Sequence, residues 1–350
     1  MKLSKYGSRL EPLEDGSRFE PLRDGSWFEP LRDGSRFAAF ALLSLLLVLL
    51  AGPSWGTEIT GYRVIRQPVT DAAGGLKVAI RSFHSNGVPH LLVVDPASLK
   101  TSDLPASAVR SASASSGAKL HASPYMKALE KYTGAPYRLQ NGGATRAESA
   151  ADGVFLTVDL CPSKRPFEYQ MFEAAQALGE GRPVPVAVCI TGIWLIKHPE
   201  ELAYLKKQVA AGKLAITWVN HSYHHSYEPK VPLERNFVLT PGTDFREEVL
   251  GQERELLAHD LVPSPFFRYP GLVSDARTMQ LLRELSLIPI GADAWLAKGE
   301  VPHKGSFILV HGNGNEPKGI RLVLPMLTGK ELKLLPLPAA FTSSAASSSP

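Results

Sequence analysis

Cysteine is nearly absent from the chain. Two residues, Cys161 and Cys189, occur in 350, which excludes a disulfide-stapled miniature scaffold and a four-cysteine zinc ribbon. Charge of one sign is scarce too. A net +4 is too small for a nucleic-acid footprint, and no Lys/Arg stripe interleaved with aromatics is present. There is no Gly-x-Ser-x-Gly, so a serine hydrolase lacks its nucleophile elbow. No His-Glu-x-x-His occurs either, which removes the helical zinc-protease signature. Apolar residues, by contrast, make up 44%, enough for a sizeable core in one large or two modest domains.

Long hydrophobic runs are also missing. The longest, in "FAAFALLSLLLVLLAGPSWG", is about 15 residues, short of the ~18 expected of a membrane span. Arg32 and Arg36 precede it, Pro53 stops it, and Ser54 and Gly56 offer small residues for cleavage before Thr57. That is a secretory signal, and it predicts an exported protein, periplasmic or secreted. A membrane enters only if the segment stays uncleaved as an anchor. Ahead of it, residues 8–37 repeat "SRLEPLEDG", "SRFEPLRDG", "SWFEPLRDG", whose prolines and glycines break helix and strand alike. Residues 1–56 therefore read as leader and signal.

Two rhythms follow. In residues 57–150, "GYRVIRQPV", "GLKVAIRSF" and "HLLVVDP" run apolar or alternate between turns, giving a small β-rich segment. Then "SPYMKALEKYT" reads as a short helix capped by Ser123. From residue 151, apolar runs ("VFLTVD", "VPVAVCI", "LAITWV", "PFFRYP", "LIPIGA", "SFILVH") alternate with helical patterns over 166–178, 199–211, 244–258 and from Ser274. This predicts an α/β fold, repeated β/α units whose parallel strands close into a barrel over 151–337. Residues 338–350, ending "TSSAASSSP", read as a disordered tail.

Chemistry-bearing residues gather where these strands end. Asp159 follows the first, His221 and His225 the third, Arg268 the fourth, Asp293 and Trp295 the fifth, and His311 the last. In β/α barrels that is the catalytic face. The spacing His-x-x-x-His in "NHSYHH" suits a shared metal, although paired histidines in a polar loop are the commoner arrangement. Trp218, Tyr223, Tyr227 and Tyr269 are candidate walls of a substrate pocket, against the alternative that they belong to core or rim.

In this order the landmarks resemble the polysaccharide deacetylases of carbohydrate esterase family four. "TVDLCPS" (157–163), "ITGIW" (190–194), "NHSYHH" (220–225), "FFRYPG" (266–271), "DAW" (293–295) and "ILVHG" (308–312) are similar to that family's motifs. The resemblance covers about residues 151–335. It implies a distorted (β/α) barrel, a divalent metal, usually zinc, and removal of acetyl groups from N-acetylated polysaccharides or oligosaccharides. It further implies that His221 and His225 hold the metal, Asp159 is the general base and Arg268 orients that base. His311 would be the general acid, supported by Asp293, with Trp295 shaping the acetyl pocket.

The chain departs from the family where Leu160 stands in place of a second, metal-binding aspartate, and where "RYPG" lacks an aromatic residue. At position 160 the alternatives are a two-histidine site, a substitute ligand nearby or a degenerate site. Cys161 is the nearest substitute, but adjacent strand residues point to opposite sides. If position 160 faces the metal, Cys161 does not. The rival functions are a glycoside hydrolase using Asp159 with Asp293 as a carboxylate pair, and a non-catalytic carbohydrate-binding relative.

Overall fold

The structure is a computed structural model that describes residues 56–113, 115–149 and 151–342. The leader and apolar segment expected over 1–56 lie outside these residues, Gly56 excepted. Among the described residues no helix is long and apolar enough to cross a membrane.

Five antiparallel strands come first: β1 (Ile59–Thr70), β2 (Leu76–Ser85), β3 (Val88–Val94), β4 (Thr101–Pro105) and β5 (Arg110–Ser111). They lie in the order β4-β3-β2-β1-β5. Helices α1 (Ser116–His121) and α2 (Pro124–Tyr132) follow, α2 capped by the Ser123 side chain with Pro124 in its first turn. The strands expected in the three apolar runs all form.

The second layer is a parallel sheet: β6 (Phe155–Leu160), β7 (Val184–Ile190), β8 (Leu214–Asn220), β9 (Phe266–Arg268), β10 (Ile288–Ile290), β11 (Ala294–Trp295) and β12 (Phe307–His311). Its order is β10-β9-β8-β7-β6-β12-β11. Crossovers run through α3 (Tyr169–Gln176), α4 (Gly192–Lys197), α5 (Pro199–Ala210), α6 (Phe245–Ala258) and α7 (Ala276–Glu284), and α8 (Pro317–Thr328) follows β12.

The distortion of the barrel has a definite place. The two edge strands, β10 and β11, are consecutive in the chain, so residues 291–293 step from one to the other without a ladder between them. The preceding linker supplies the hydrogen bonds that a ladder would. Ala144 N donates to Pro289 O, Gly291 N to Ala144 O, and Asn141 bonds Ala292 through both its side-chain oxygen and nitrogen.

Period-two alternation sorts each strand into two faces. Leu156, Val158 and Leu160 point outward and pack with Phe172 and Val323 beneath the helices. Phe155 points inward, into a cluster with Ala187, Val219, Phe266, Ile288 and Phe307. That cluster also contains Val78, Ile80 and Phe83 of the antiparallel sheet and Tyr125 and Leu129 of α2, so sheet and barrel share one core. The lower barrel is apolar and stoppered; the upper end, at the carboxyl ends of the strands, is where polar side chains enter.

The expected tail begins later than residue 338. Leu337–Phe341 forms a 3-10 helix, with Leu337, Ala340 and Phe341 buried and Phe341 stacked on Phe266 at 5.1 Å. Apolar anchors distinguish this turn from the serine-rich residues after it, of which 343–350 lie outside the described residues.

Candidate active site

Asp159 sits near the end of β6, in register with His311 of β12 on one side and Cys189 of β7 on the other. Its carboxylate is 3% exposed. Arg268, fully buried at the end of β9, donates from Nη1 to Asp159 Oδ1 at 3.3 Å and from Nη2 to Thr157 Oγ1 and Gly291 O. The guanidinium is thus fixed by three residues, two on β6 and one after β10, while it faces the acid.

The histidines arrive through a tight turn after β8. Ser222 and His225 take positive φ, +67° and +52°, a conformation L-residues adopt only when held there. The holding groups are visible. Asn220, buried, accepts from Ser222 N and donates to Val249 O, while Glu248 of α6 accepts from Tyr223 N, His224 N and the His224 ring. Gly192 N and Ile193 N donate to the carbonyls of Ser222 and Tyr223. The result sets the His221 and His225 rings 4.8 Å apart. His221 Nδ1 lies 2.8 Å from Arg268 O. A carbonyl only accepts, so Nδ1 donates, and Nε2 is the nitrogen turned to the site, 3.6 Å from Asp159 Oδ2.

A third donor joins them. Cys161 Sγ lies 3.5 Å from His221 Nε2, and the ligand atoms of Cys161, His221 and His225 all fall within 4.8 Å of one another. Asn313 fixes the Cys161 carbonyl from Nδ2 at 2.6 Å. Two imidazoles and a thiol are the donor types a divalent ion of zinc's class takes.

Electrostatics separate an acid from a base. Burial alone would raise the Asp159 carboxyl, but Arg268, then His221 and His311, outweigh it and hold it below the usual range, so it is ionised. His311 moves the other way. Burial opposes its charge, yet the Cys161 sulfur and then Glu316 and Asp159 hold it well above the ordinary imidazole value. The Cys161 thiol is buried, which opposes ionisation, but His225, His311 and His221 bring it well below its usual value. Cys189, buried beside Asp159, is pushed up and keeps its proton.

The chain is similar in structure to family 4 carbohydrate esterases. A family 4 carbohydrate esterase from Bacillus anthracis matches at 19% identity over 57% of this chain and 87% of its own, with a TM-score of 0.43. The chitin deacetylase of Colletotrichum lindemuthianum matches at 14% identity over 58% and 92%, with a TM-score of 0.40. A CE4 family pseudoenzyme from Bacillus anthracis matches at 14% identity over 56% and 68%, with a TM-score of 0.39. The family model described as the RP012 protein N-terminal domain matches residues 60–121, the antiparallel sheet and α1.

Asp159, Arg268, His221, His225 and His311 therefore converge at one end of the barrel, and Trp295 borders them, its ring 6.5 Å from that of His311. Asp293 does not join them. Its Oδ1 accepts from Phe307 N at the start of β12, four residues below His311, or about 13 Å at strand rise. The carboxylate beside His311 is Glu316, with Oε2 2.9 Å from Nδ1 and 2.7 Å from Trp295 Nε1. Asp293 thus neither supports His311 nor pairs with Asp159 as a glycosidase would require.

Two proposed pocket walls are corrected as well. Tyr269 is 2% exposed, stacked on Phe245 in the core. Tyr223 lines a separate hollow with His224, Asp244 and Glu247. At position 160 the expectation inverts. Leu160 packs outward against Gly312, where even a Cβ would meet its side chain at 3.1 Å. The alternation that argued against Cys161 counts from Asp159, not from Leu160, and it turns Cys161 inward.

Glu316, Asn313, Asn220 and Glu248 escaped sequence reading. Each acts by bonding a loop backbone or a neighbouring ring, and of the four only Asn220 falls within a sequence motif, "NHSYHH". Glu316, five residues beyond His311 in a turn-rich stretch, was the most discoverable.

Proposed function

We propose that the protein is an exported, metal-dependent hydrolase that removes acetyl groups from N-acetylated amino-sugar polysaccharides or oligosaccharides and releases acetate. The observation that carries this reading is the placement of an arginine-anchored Asp159 in register with His311 across β6 and β12, beside a cluster of metal-type donors.

Amide hydrolysis needs a base for water, an acid for the departing amine and a positive centre for the oxyanion. His221 and His225 would hold the ion, and a divalent metal bound there supplies Lewis acidity and a water acidic enough to lose its proton near neutral pH. Asp159 accepts that proton. Arg268 keeps Asp159 ionised and aimed, since its remaining bonds to Thr157 and Gly291 leave it little freedom. His311 delivers a proton to the leaving nitrogen, with the Glu316 carboxylate 2.9 Å from its Nδ1. Trp295, tied to Glu316 through its indole N–H, walls that side.

The test is to incubate the purified full-length protein with a panel of N-acetylated oligosaccharides, chitin-like and peptidoglycan-derived. Acetate is assayed and the products are weighed. Loss of one acetyl mass per turnover with equimolar acetate is expected. Cleavage of the glycan chain without acetate would mean a glycosidase, and binding with neither product would mean a non-catalytic carbohydrate-binding protein.

A further inference from the structure

We infer that Cys161 supplies a thiolate as the third protein ligand of the metal, making a Cys–His–His centre selective for zinc-class ions over hard ions such as magnesium or manganese. Cys161 stands one residue past the end of β6, and its sulfur lies with the His221 and His225 nitrogens. Asp159 and Cys161 are two apart and share the inner side, while Leu160 between them is buried under the helices.

The distances agree. In a tetrahedral zinc site, with sulfur at ~2.3 Å and nitrogen at ~2.0–2.1 Å from the ion, those two atoms stand about 3.6 Å apart. Cys161 Sγ and His221 Nε2 are 3.5 Å apart. That nitrogen belongs to a ring 1% exposed whose other nitrogen is committed to Arg268 O, and it faces the Cys161 sulfur at 3.5 Å and Asp159 Oδ2 at 3.6 Å. Asn313 holds the Cys161 backbone in place.

Charge balances too. A carboxylate at position 160 would bring one negative charge, Leu160 brings none, and a thiolate at 161 restores it. Three protein ligands leave a fourth position open, the count typical of catalytic rather than structural zinc. The inference rests on the metal half of the deacetylase reading and not on its substrate.

The full-length protein, stripped of metal, is titrated with cobalt(II) and its absorption recorded. One equivalent should produce a near-ultraviolet thiolate-to-cobalt charge-transfer band. Cys161→Asp should bind one equivalent without that band and shift preference toward manganese. Cys161→Ser should weaken zinc by at least about tenfold, since losing even a ligand's supporting partner costs 10- to 100-fold. Cobalt bound by the wild type with no such band, a band surviving in Cys161→Asp, or no cobalt bound at all overturns the assignment. Acetate assayed on the same samples keeps the two failures apart. A thiolate band without acetate release sinks the deacetylase reading and leaves Cys161 a ligand.

Discussion

Asp159 and Leu160 are neighbours with opposite fates, and each has a distinct test. If Asp159 and His311 move protons in the rate-determining chemistry, Asp159→Asn and His311→Ala should each lower kcat by about 10²- to 10⁴-fold. Thermal unfolding should change little in His311→Ala, whereas Asp159→Asn leaves the buried Arg268 charge uncompensated and should lose about 3–5 kcal/mol. A variant keeping more than about a tenth of the wild-type rate contradicts its role at that magnitude. Leu160→Asp addresses the fold instead. It would bury a carboxylate among Val158, Phe172 and Val310, so urea denaturation should show a loss exceeding about 3 kcal/mol, with no gain in zinc affinity. Tighter zinc binding in that variant would mean that position 160 faces the ion.

At the scale of elements, the turn after β8 is the device that makes two loop histidines into one site. Its positive-φ positions persist because Asn220 and Glu248 bond its backbone. Asn220→Ala should therefore lower zinc affinity by about 10- to 100-fold, as removal of ligand-orienting groups does, without removing a ligand. Calorimetric titration checks it, and unchanged affinity would show that the turn holds itself. This level also marks how far the sequence could be read. Strand and helix positions from residue 151 were legible because buried parallel strands are continuous apolar runs and their helices are amphipathic. Asp159, His221, His225, Arg268 and His311 were legible because each follows such a run. Which way a strand-end residue points was not, because one residue of register exchanges Leu160 for Cys161. Asp293 failed for a related reason. It precedes β11, and β11 and β12 run in parallel register, so it lies level with the start of β12 and not with His311.

The whole molecule joins an antiparallel sheet to a barrel through one apolar core and one buried ion pair. Arg81 of β2 and Glu253 of α6 meet in a bidentate pair at 2.7 and 2.8 Å, and Tyr62 adds its hydroxyl to the same carboxylate at 2.9 Å. Breaking a buried pair leaves one charge uncompensated, at a cost of about 3–5 kcal/mol. Arg81→Met should lose stability of that order, and wild type should unfold in a single transition, since Val78, Ile80 and Phe83 pack with Phe155 and Phe307. Two separate transitions would show that sheet and barrel fold independently.

The account stands or falls on coupling between metal and acetate release. The full-length protein, exhaustively chelated, is reloaded with zinc in steps, and acetate release from an N-acetylated oligosaccharide is measured at each step. Activity should vanish on chelation and return in proportion to bound zinc, reaching its plateau at one ion per chain. Acetate released at the full rate by metal-free protein, or one zinc bound with no acetate released, would contradict it.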